Sequence, residues 1–167
     1  MITEHTRNEI WEEFLDASRL VRYYGKLEFR NQIWYVGNRL LLLLFSLGGI
    51  VALFDILPDS IRIAIGAFIS LLIALEYVLN IGQKTAVLRY IYISCAELED
   101  QWSVLWNRIE NNRIDETEIW REREELSRRC LRVTSKAKEL GVRDNIRINK
   151  ESAEEAYRVM EDRYVER

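Results

Sequence analysis

One stretch of the chain, Leu40 to Ile81, is almost free of charge, and the rest is densely charged. Its only charged residues are Asp55, Asp59, Arg62 and Glu76. Over all 167 residues the charged fraction is 31% and the apolar fraction 49%. Both totals are near the average for soluble proteins and hide the segregation. Such a division indicates a chain that meets two solvents, lipid and water.

The charge-poor stretch consists of two apolar runs separated by a turn signal. The first run, Leu40–Phe54, holds no charge. With its flanks it reaches the length of about 20 residues that a helix needs to cross the bilayer core. The sequence Pro58-Asp59-Ser60 then favours a turn, and a second apolar run, Ile63–Leu75, follows. We therefore expect a transmembrane hairpin with helices at about 33–57 and 62–83. A buried hairpin in a soluble protein is disfavoured, because five successive leucines leave no polar face.

The distribution of basic residues predicts the orientation of this hairpin. Lysine and arginine near membrane helices remain on the cytoplasmic side. They cluster at the outer ends of the pair, as Arg22, Lys26, Arg30 and Arg39 before the first helix and Lys84 and Arg89 after the second. The turn has only Arg62, offset by Asp55 and Asp59. Both termini are thus expected in the cytoplasm.

A polar stripe on the second helix suggests a pore. Glu76, Asn80 and Gln83 recur at helical spacing and share one face. A carboxylate at membrane depth is costly unless it is paired or hydrated. In a homo-oligomer, such as a tetramer, these three side chains could line a water-filled pore that favours cations.

Structural ion pairs explain the same charges equally well. In a hairpin centred near Pro58, Glu76 lies within a turn of Arg39, and Asp55 lies opposite Arg62. Two such pairs would lock the hairpin within one chain. The sequence leaves both interpretations open.

The segments outside the hairpin predict amphipathic cytoplasmic helices. The face of Asn8–Gln32 packs on a helical bundle or, alternatively, lies flat on the membrane. After the hairpin an apolar seam recurs every three and four residues, which is typical of a long helix packed through one face. Its members are Leu88, Ile91, Cys95, Leu98, Trp102, Leu105 and Ile109.

Capping and helix-terminating residues predict where the later helices begin and end. The long helix that carries the seam from Leu88 to Ile109 should end at Asn111-Asn112. Asp115 should then cap a second helix that ends near Gly141. Its expected seam is Ile119, Leu126, Cys130, Val133, Ala137 and Leu140. After a connector at Val142–Ile148, a third helix is expected from Asn149 to about Arg163. The predicted fold is an all-α membrane protein, with domains at 1–32 (amphipathic helix), 33–83 (hairpin) and 84–167 (cytoplasmic helical hairpin or bundle).

Charge is divided unevenly between the first two of these later helices. Glu97–Ile119 has seven acidic and two basic residues, whereas Arg121–Lys150 has ten basic and five acidic ones. Complementary packing of the two segments is one explanation. An anion site is the other, because arginine forks suit phosphate. Its candidate residues are Arg128, Arg129, Arg132, Lys136, Arg143, Arg147 and Lys150.

Catalytic and metal-binding motifs are missing from the sequence. The only histidine is His5, and there is no nucleophile elbow, phosphate loop, HExxH or CxxC. The two cysteines lack metal-ligand spacing and are expected in the core. We therefore expect no enzyme, no catalytic residue, no cofactor and no metal.

The layout resembles a known family. The segment RNQIWYVGNRLLLLL leads into two apolar helices with a short turn, and KTAVLRYIYISCAELEDQW emerges from them. This arrangement, over roughly Phe14 to Leu140, resembles the SLATT family, the SMODS/SLOG-associating two-transmembrane effector domains of bacterial conflict systems. The resemblance rests on architecture and sequence character.

The resemblance implies an oligomeric pore-forming effector of antiphage defence. A partner nucleotidyltransferase would make a nucleotide or oligonucleotide signal, and the gated pore would permeabilise the inner membrane and kill the infected cell. Two other functions fit the residues: a non-conducting scaffold that recruits a soluble partner through its cytoplasmic helices, and a membrane-perturbing toxin that needs no ligand.

Overall fold

A computed structural model describes residues 2–46, 58–79, 81–142 and 144–164. These residues form five α-helices, namely α1 (Glu4–Ser46), α2 (Asp59–Leu79), α3 (Ile81–Glu110), α4 (Glu116–Glu139) and α5 (Ile146–Tyr164). No strand occurs in the described residues, so the all-α part of the predicted fold class is confirmed. The chain divides into two compact units, residues 1–28 with 87–167, and residues 29–86.

The first unit is a bundle in which α1 packs on α3, α4 and α5. The apolar face of α1 is buried there, with Ile10, Phe14 and Tyr24 among its core residues. This confirms the prediction that the amphipathic face packs on a helical bundle. Trp11, which could have anchored the helix to lipid, instead packs against Trp106, with 4.9 Å between the ring centroids.

The seam of α3 forms the centre of the bundle. All seven predicted positions, Leu88 to Ile109, are buried. Leu88, Ile91 and Cys95 join one core cluster, and the positions from Leu98 onward join the other. The predicted stop is also confirmed, since α3 ends at Glu110 and Asn112 adopts a left-handed conformation with φ 51°. The prediction that the second apolar helix continues into this rod falls on Asn80, which lies outside the described residues.

The ends of α4 are closed by the predicted caps. The Asp115 side chain accepts a hydrogen bond from the backbone N–H of Glu118 at 2.8 Å. At the other end Gly141 has φ +72°, and its N–H donates to the carbonyl of Lys138. The next N–H, that of Val142, donates to the carbonyl of Ala137, which completes a Schellman motif.

Two details after the start of α4 differ from the prediction. Leu140 is exposed and does not belong to the seam, because it follows the last helical residue at the C-cap. The predicted connector is also too long, since α5 begins at Ile146, three residues before Asn149. The Asn145 side chain accepts a hydrogen bond from the N–H of Ile148 and so starts the helix earlier.

Polar contacts fix α1 within the bundle. Ser18, on α1, is fully buried and donates to Glu99 Oε1 at 2.7 Å, while Arg22 Nη1 lies 3.2 Å from the same oxygen. On the other side of α1, Arg123 Nη2 from α4 pairs with Glu13 at 2.5 Å. Each carboxylate therefore has a cationic partner, as charges within a helical interface require.

The second unit contains the end of α1, α2 and the start of α3. Asn31 Nδ2 donates to Thr85 Oγ1 at 2.6 Å, and a Cβ built on Gly82 would lie 3.1 Å from the ring of Tyr35. Among the described side chains of α2, none is buried. The helices that the structure describes include none that is both long and apolar enough to span a membrane.

Candidate anion site between α3 and α4

The first unit contains a cavity between α3 and α4. Its volume is about 390 Å³. Basic side chains from α4 and polar or aromatic side chains from α3 line opposite walls, above an apolar floor. The lining residues are Tyr90, Ile91, Ser94, Glu97, Leu98, Arg129, Arg132, Val133 and Lys136.

The α4 wall is built by helical periodicity. Arg129, Arg132 and Lys136 follow one another at intervals of three and four residues, so they share one face of the helix. The neighbouring apolar positions Ala137 and Leu126 are buried in the bundle and fix the rotation of α4 about its axis. The same rotation that buries these apolar residues turns the three cations towards α3.

The three cations of this wall have no carboxylate partner among the described residues. Elsewhere in the unit, arginines pair with acids at short distance, as Arg108 does with Glu122 at 2.6 Å and Arg22 with Glu99 at 3.2 Å. Arg129 instead donates to the neutral amide oxygen of Gln101 at 2.6 Å. Lys136 places its ammonium 4.8 Å from the centroid of the Tyr90 ring, in a cation–π contact.

Direct ion pairing between the acidic and basic segments does not account for these three cations. Within the described part of the chain, no ion pair joins an acid of Glu97–Ile119 to a base of Arg121–Lys150. Two acids of α3 pair instead with α1, Glu99 with Arg22 and Glu110 with Arg7. Glu97 is the one acid of the first segment that lines the cavity with these bases, and no ion pair joins it to them in the described residues.

The charge of this cavity differs from that of its neighbour. Glu97 is the one acid among the lining residues, against three bases. A second cavity of about 400 Å³ shares Arg129 and lies further along the same two helices. It contains Arg121 as well, but Glu122 and Glu125 balance its charge. Of these two cavities, the first alone has an excess of positive charge among its lining residues.

The structure brings together three of the seven predicted ligand-binding residues. Arg128 points elsewhere and pairs with Glu124 at 2.5 Å, and Arg147 pairs with Glu151 at 2.9 Å. Lys150 is exposed on α5 and does not line the cavity. Arg143 lies outside the described residues.

The residues of the predicted pore and hairpin are described only in part. Asn80, Asp55 and the side chains of Glu76 and Arg62 lie outside the described residues. The other members, Gln83 and Arg39, are described: Gln83 is exposed, and the Arg39 guanidinium lies 4.6 Å from the centroid of the Tyr35 ring. Whether Glu76 faces a pore or pairs with Arg39 therefore stays a prediction.

Sequence reasoning missed the α3 wall, formed by Tyr90, Ser94 and Glu97. Each of these residues directly precedes a buried seam position, namely Ile91, Cys95 and Leu98. They therefore form a stripe along one border of the seam, where a neighbouring helix packs alongside. That regular offset was the available signal.

Two thiols lie close to the cavity but are unsuited to chemistry. Cys95 is buried, and burial raises the pKa of its thiol to about 12. Burial also raises the pKa of Cys130. Both thiols therefore stay protonated near neutral pH, which makes them poor nucleophiles. In the described residues, no group of histidine, cysteine or acidic side chains could hold a metal ion.

Comparisons with protein families, with curated proteins and with solved structures found no match to this chain.

Proposed function

We propose that the protein is an oligomeric pore-forming effector of the bacterial inner membrane that responds to an anionic signal. The signal would be a nucleotide or oligonucleotide made by a partner enzyme during phage infection, and the open pore would permeabilise the membrane. The resemblance to SLATT domains supplies the biological setting, and the physical support comes from the two units of the chain.

One observation carries the proposal: every buried apolar residue in the described part of the chain belongs to the first unit. The second unit instead exposes large apolar side chains, with Leu44 64% and Ile63 73% exposed. They are Phe29, Ile33, Trp34, Val36, Leu40, Leu41, Leu43, Leu44, Ile61, Ile63, Phe68, Leu71, Ile73, Leu75 and Tyr77. Soluble monomers rarely expose apolar patches above a few hundred Å². Lipid or other copies of the chain would cover this surface.

Sequence supports lipid as the main surrounding. The uncharged run Leu40–Phe54 extends past the end of α1, so its full length exceeds what the described helix includes. In α2, Arg62 and Glu76 lie fourteen residues apart, which is about 21 Å along a helix. The hydrocarbon core is about 30 Å thick, so two charges at this separation can each lie near one face of it. From there each side chain can reach the interface or a hydrated pore.

The surface of α2 suits association between copies. Gly66 has no atom within 4 Å of the position a Cβ would occupy, and it lies one turn from Ser70. Small residues at this spacing let membrane helices approach closely. In an oligomer assembled this way, the stripe Glu76–Asn80–Gln83 would surround the axis and favour cations.

Ion flux across liposomes tests the pore. The purified full-length protein, reconstituted into vesicles loaded with a potassium-sensitive dye, should conduct ions in at least one condition among a panel of nucleotides and oligonucleotides. Glu76→Gln should reduce the preference for cations over anions, since it removes the carboxylate from each subunit. Glu139→Gln, which neutralises an exposed carboxylate at the end of α4, serves as the matched control and should leave selectivity unchanged.

The same experiment separates the pore from its alternatives. No flux under any condition would contradict the pore and favour a scaffold. Flux without ligand that persists after removal of residues 142–167 would favour a toxin that no signal regulates.

A further inference from the structure

We propose that the cavity between α3 and α4 binds a small phosphate monoester whose organic part carries hydroxyl or amino donors. This inference names the ligand class for the gating step and rests on the proposed function for its biological meaning. The charge, the two unlike walls and the size of the cavity all favour such a ligand.

The charge of the cavity matches one phosphate dianion. Three bases and one acid among the lining residues leave an excess of two positive charges. A phosphate monoester carries a charge of about −1.5 to −2 near pH 7. The planar forks of Arg129 and Arg132 can each offer paired N–H donors to phosphate oxygens, which a lysine ammonium does not.

The cationic wall is partly held in place before any ligand arrives. Arg129 is anchored by its hydrogen bond to Gln101, and Lys136 rests on the Tyr90 ring. Side chains that are already positioned lose less conformational entropy on binding. Arg132 has no such contact among the described residues and is free to close on the phosphate.

The opposite wall makes a bare phosphate ion a poor ligand. Glu97 repels an anion, but its carboxylate oxygens accept hydrogen bonds from hydroxyl or amino groups. Ser94, one turn before it, can donate or accept, and Tyr90 adds an aromatic surface. A ligand that presents phosphate to α4 and donors to α3 satisfies both walls at once.

The size of the cavity selects a single small molecule. A volume of about 390 Å³ lies at the lower end of the usual range for ligand pockets, about 300–1,000 Å³. A nucleoside monophosphate or a sugar phosphate fits this limit, whereas a chain of several nucleotides exceeds it. These two sources share the chemistry that the walls recognise, so binding measurements must distinguish them.

Calorimetry on the full-length protein in mild detergent tests the inference. The titrants are adenosine 5′-monophosphate, glucose 6-phosphate and inorganic phosphate at pH 7.5. At least one ester should bind ten times more tightly than inorganic phosphate, and the tighter ester identifies a nucleotide or a sugar as the source. Equal affinity for all three, or no binding by either ester, would overturn the proposal.

Substitutions assign the binding to this cavity. Arg132→Gln should weaken ester binding at least tenfold, while Arg128→Gln, the control on the same helix outside the cavity, should change it less than twofold. Glu97→Ala should strengthen the binding of inorganic phosphate and reduce the difference in affinity between inorganic phosphate and the esters. Equal effects of Arg128→Gln and Arg132→Gln would refute the assignment.

Direct binding keeps this inference separate from the pore. Ester binding without any ion flux would contradict the proposed pore and leave the site intact. Ion flux from a protein that binds neither ester would overturn the site alone.

Discussion

Two isoleucines on α3 provide a matched test of the bundle. Ile91 belongs to the buried seam and is 0% exposed, whereas Ile93, two residues later, is 46% exposed. The same substitution, isoleucine to alanine, removes the same three carbon atoms at both positions. Any difference in the free energy of unfolding therefore reports the surroundings and not the chemistry of the change.

The expected magnitudes follow from burial. At Ile91 the loss of transfer free energy is about 0.8 kcal/mol for each carbon, about 2.4 kcal/mol in all, and the cavity left behind brings the cost to about 3–4 kcal/mol. At Ile93 about half of that transfer term applies. The better helix propensity of alanine offsets about 0.4 kcal/mol of it, which leaves a cost below about 1 kcal/mol.

Urea unfolding of the full-length protein in mild detergent measures the difference. Trp102 and Trp106 lie in the bundle and report its unfolding through their fluorescence. Ile91→Ala should lower the free energy of unfolding by at least about 2 kcal/mol more than Ile93→Ala. Equal costs at the two positions would refute the rotation of α3 on which both the core and the cavity between α3 and α4 depend.

Three further predictions concern the ends of α4 and the core. Asp115→Ala should destabilise the bundle by about 1 kcal/mol, whereas Asp115→Asn should keep most of the cap to Glu118, as measured by urea unfolding. Gly141→Ala should cost about 1–2 kcal/mol because of φ +72° alone, since its Cβ would meet no atom; an unchanged Tm would contradict this reasoning. Burial raises the pKa of Cys95 to about 12 in the folded protein, above the value of about 8.5 in the unfolded chain. The contribution of this thiol to the free energy of unfolding is therefore fully present below pH 8.5 and is lost as the pH rises towards 12. Wild type should therefore lose stability between pH 8.5 and 10 more steeply than Cys95→Ala, by at most about 1.4 kcal/mol per pH unit, and parallel pH profiles would argue against a buried thiol.

The bundle and the cavity between α3 and α4 both depend on the rotation of α3 about its axis. The apolar seam of α3 faces the core, and the residues that directly precede its members, Tyr90, Ser94 and Glu97, border α4. A ligand that draws Arg132 towards the α3 wall would favour a closer approach of α3 and α4. Such a ligand can shift the equilibrium between two arrangements of these helices only if it binds one of them more tightly than the other.

The sequence by itself determined the local features of this protein. The seam from Leu88 to Ile109, the stop at Asn112, the cap at Asp115 and the left-handed Gly141 all follow the prediction. Each depends on interactions within a few residues, such as helical periodicity, a side chain that accepts from a nearby N–H, or a backbone conformation that glycine favours. The residues that make such interactions are neighbours in the sequence, so the sequence alone predicts them.

Only the tertiary structure decided which predicted bases converge. Arg128 and Arg129 are adjacent in sequence, but one residue turns a helix by about 100°, so Arg129 faces α3 while Arg128 pairs with Glu124. The opposing wall around Glu97 could not be read from α4 at all, because it belongs to another helix. A site made by two packed helices depends on how each is rotated, and long-range burial of their apolar faces sets that rotation.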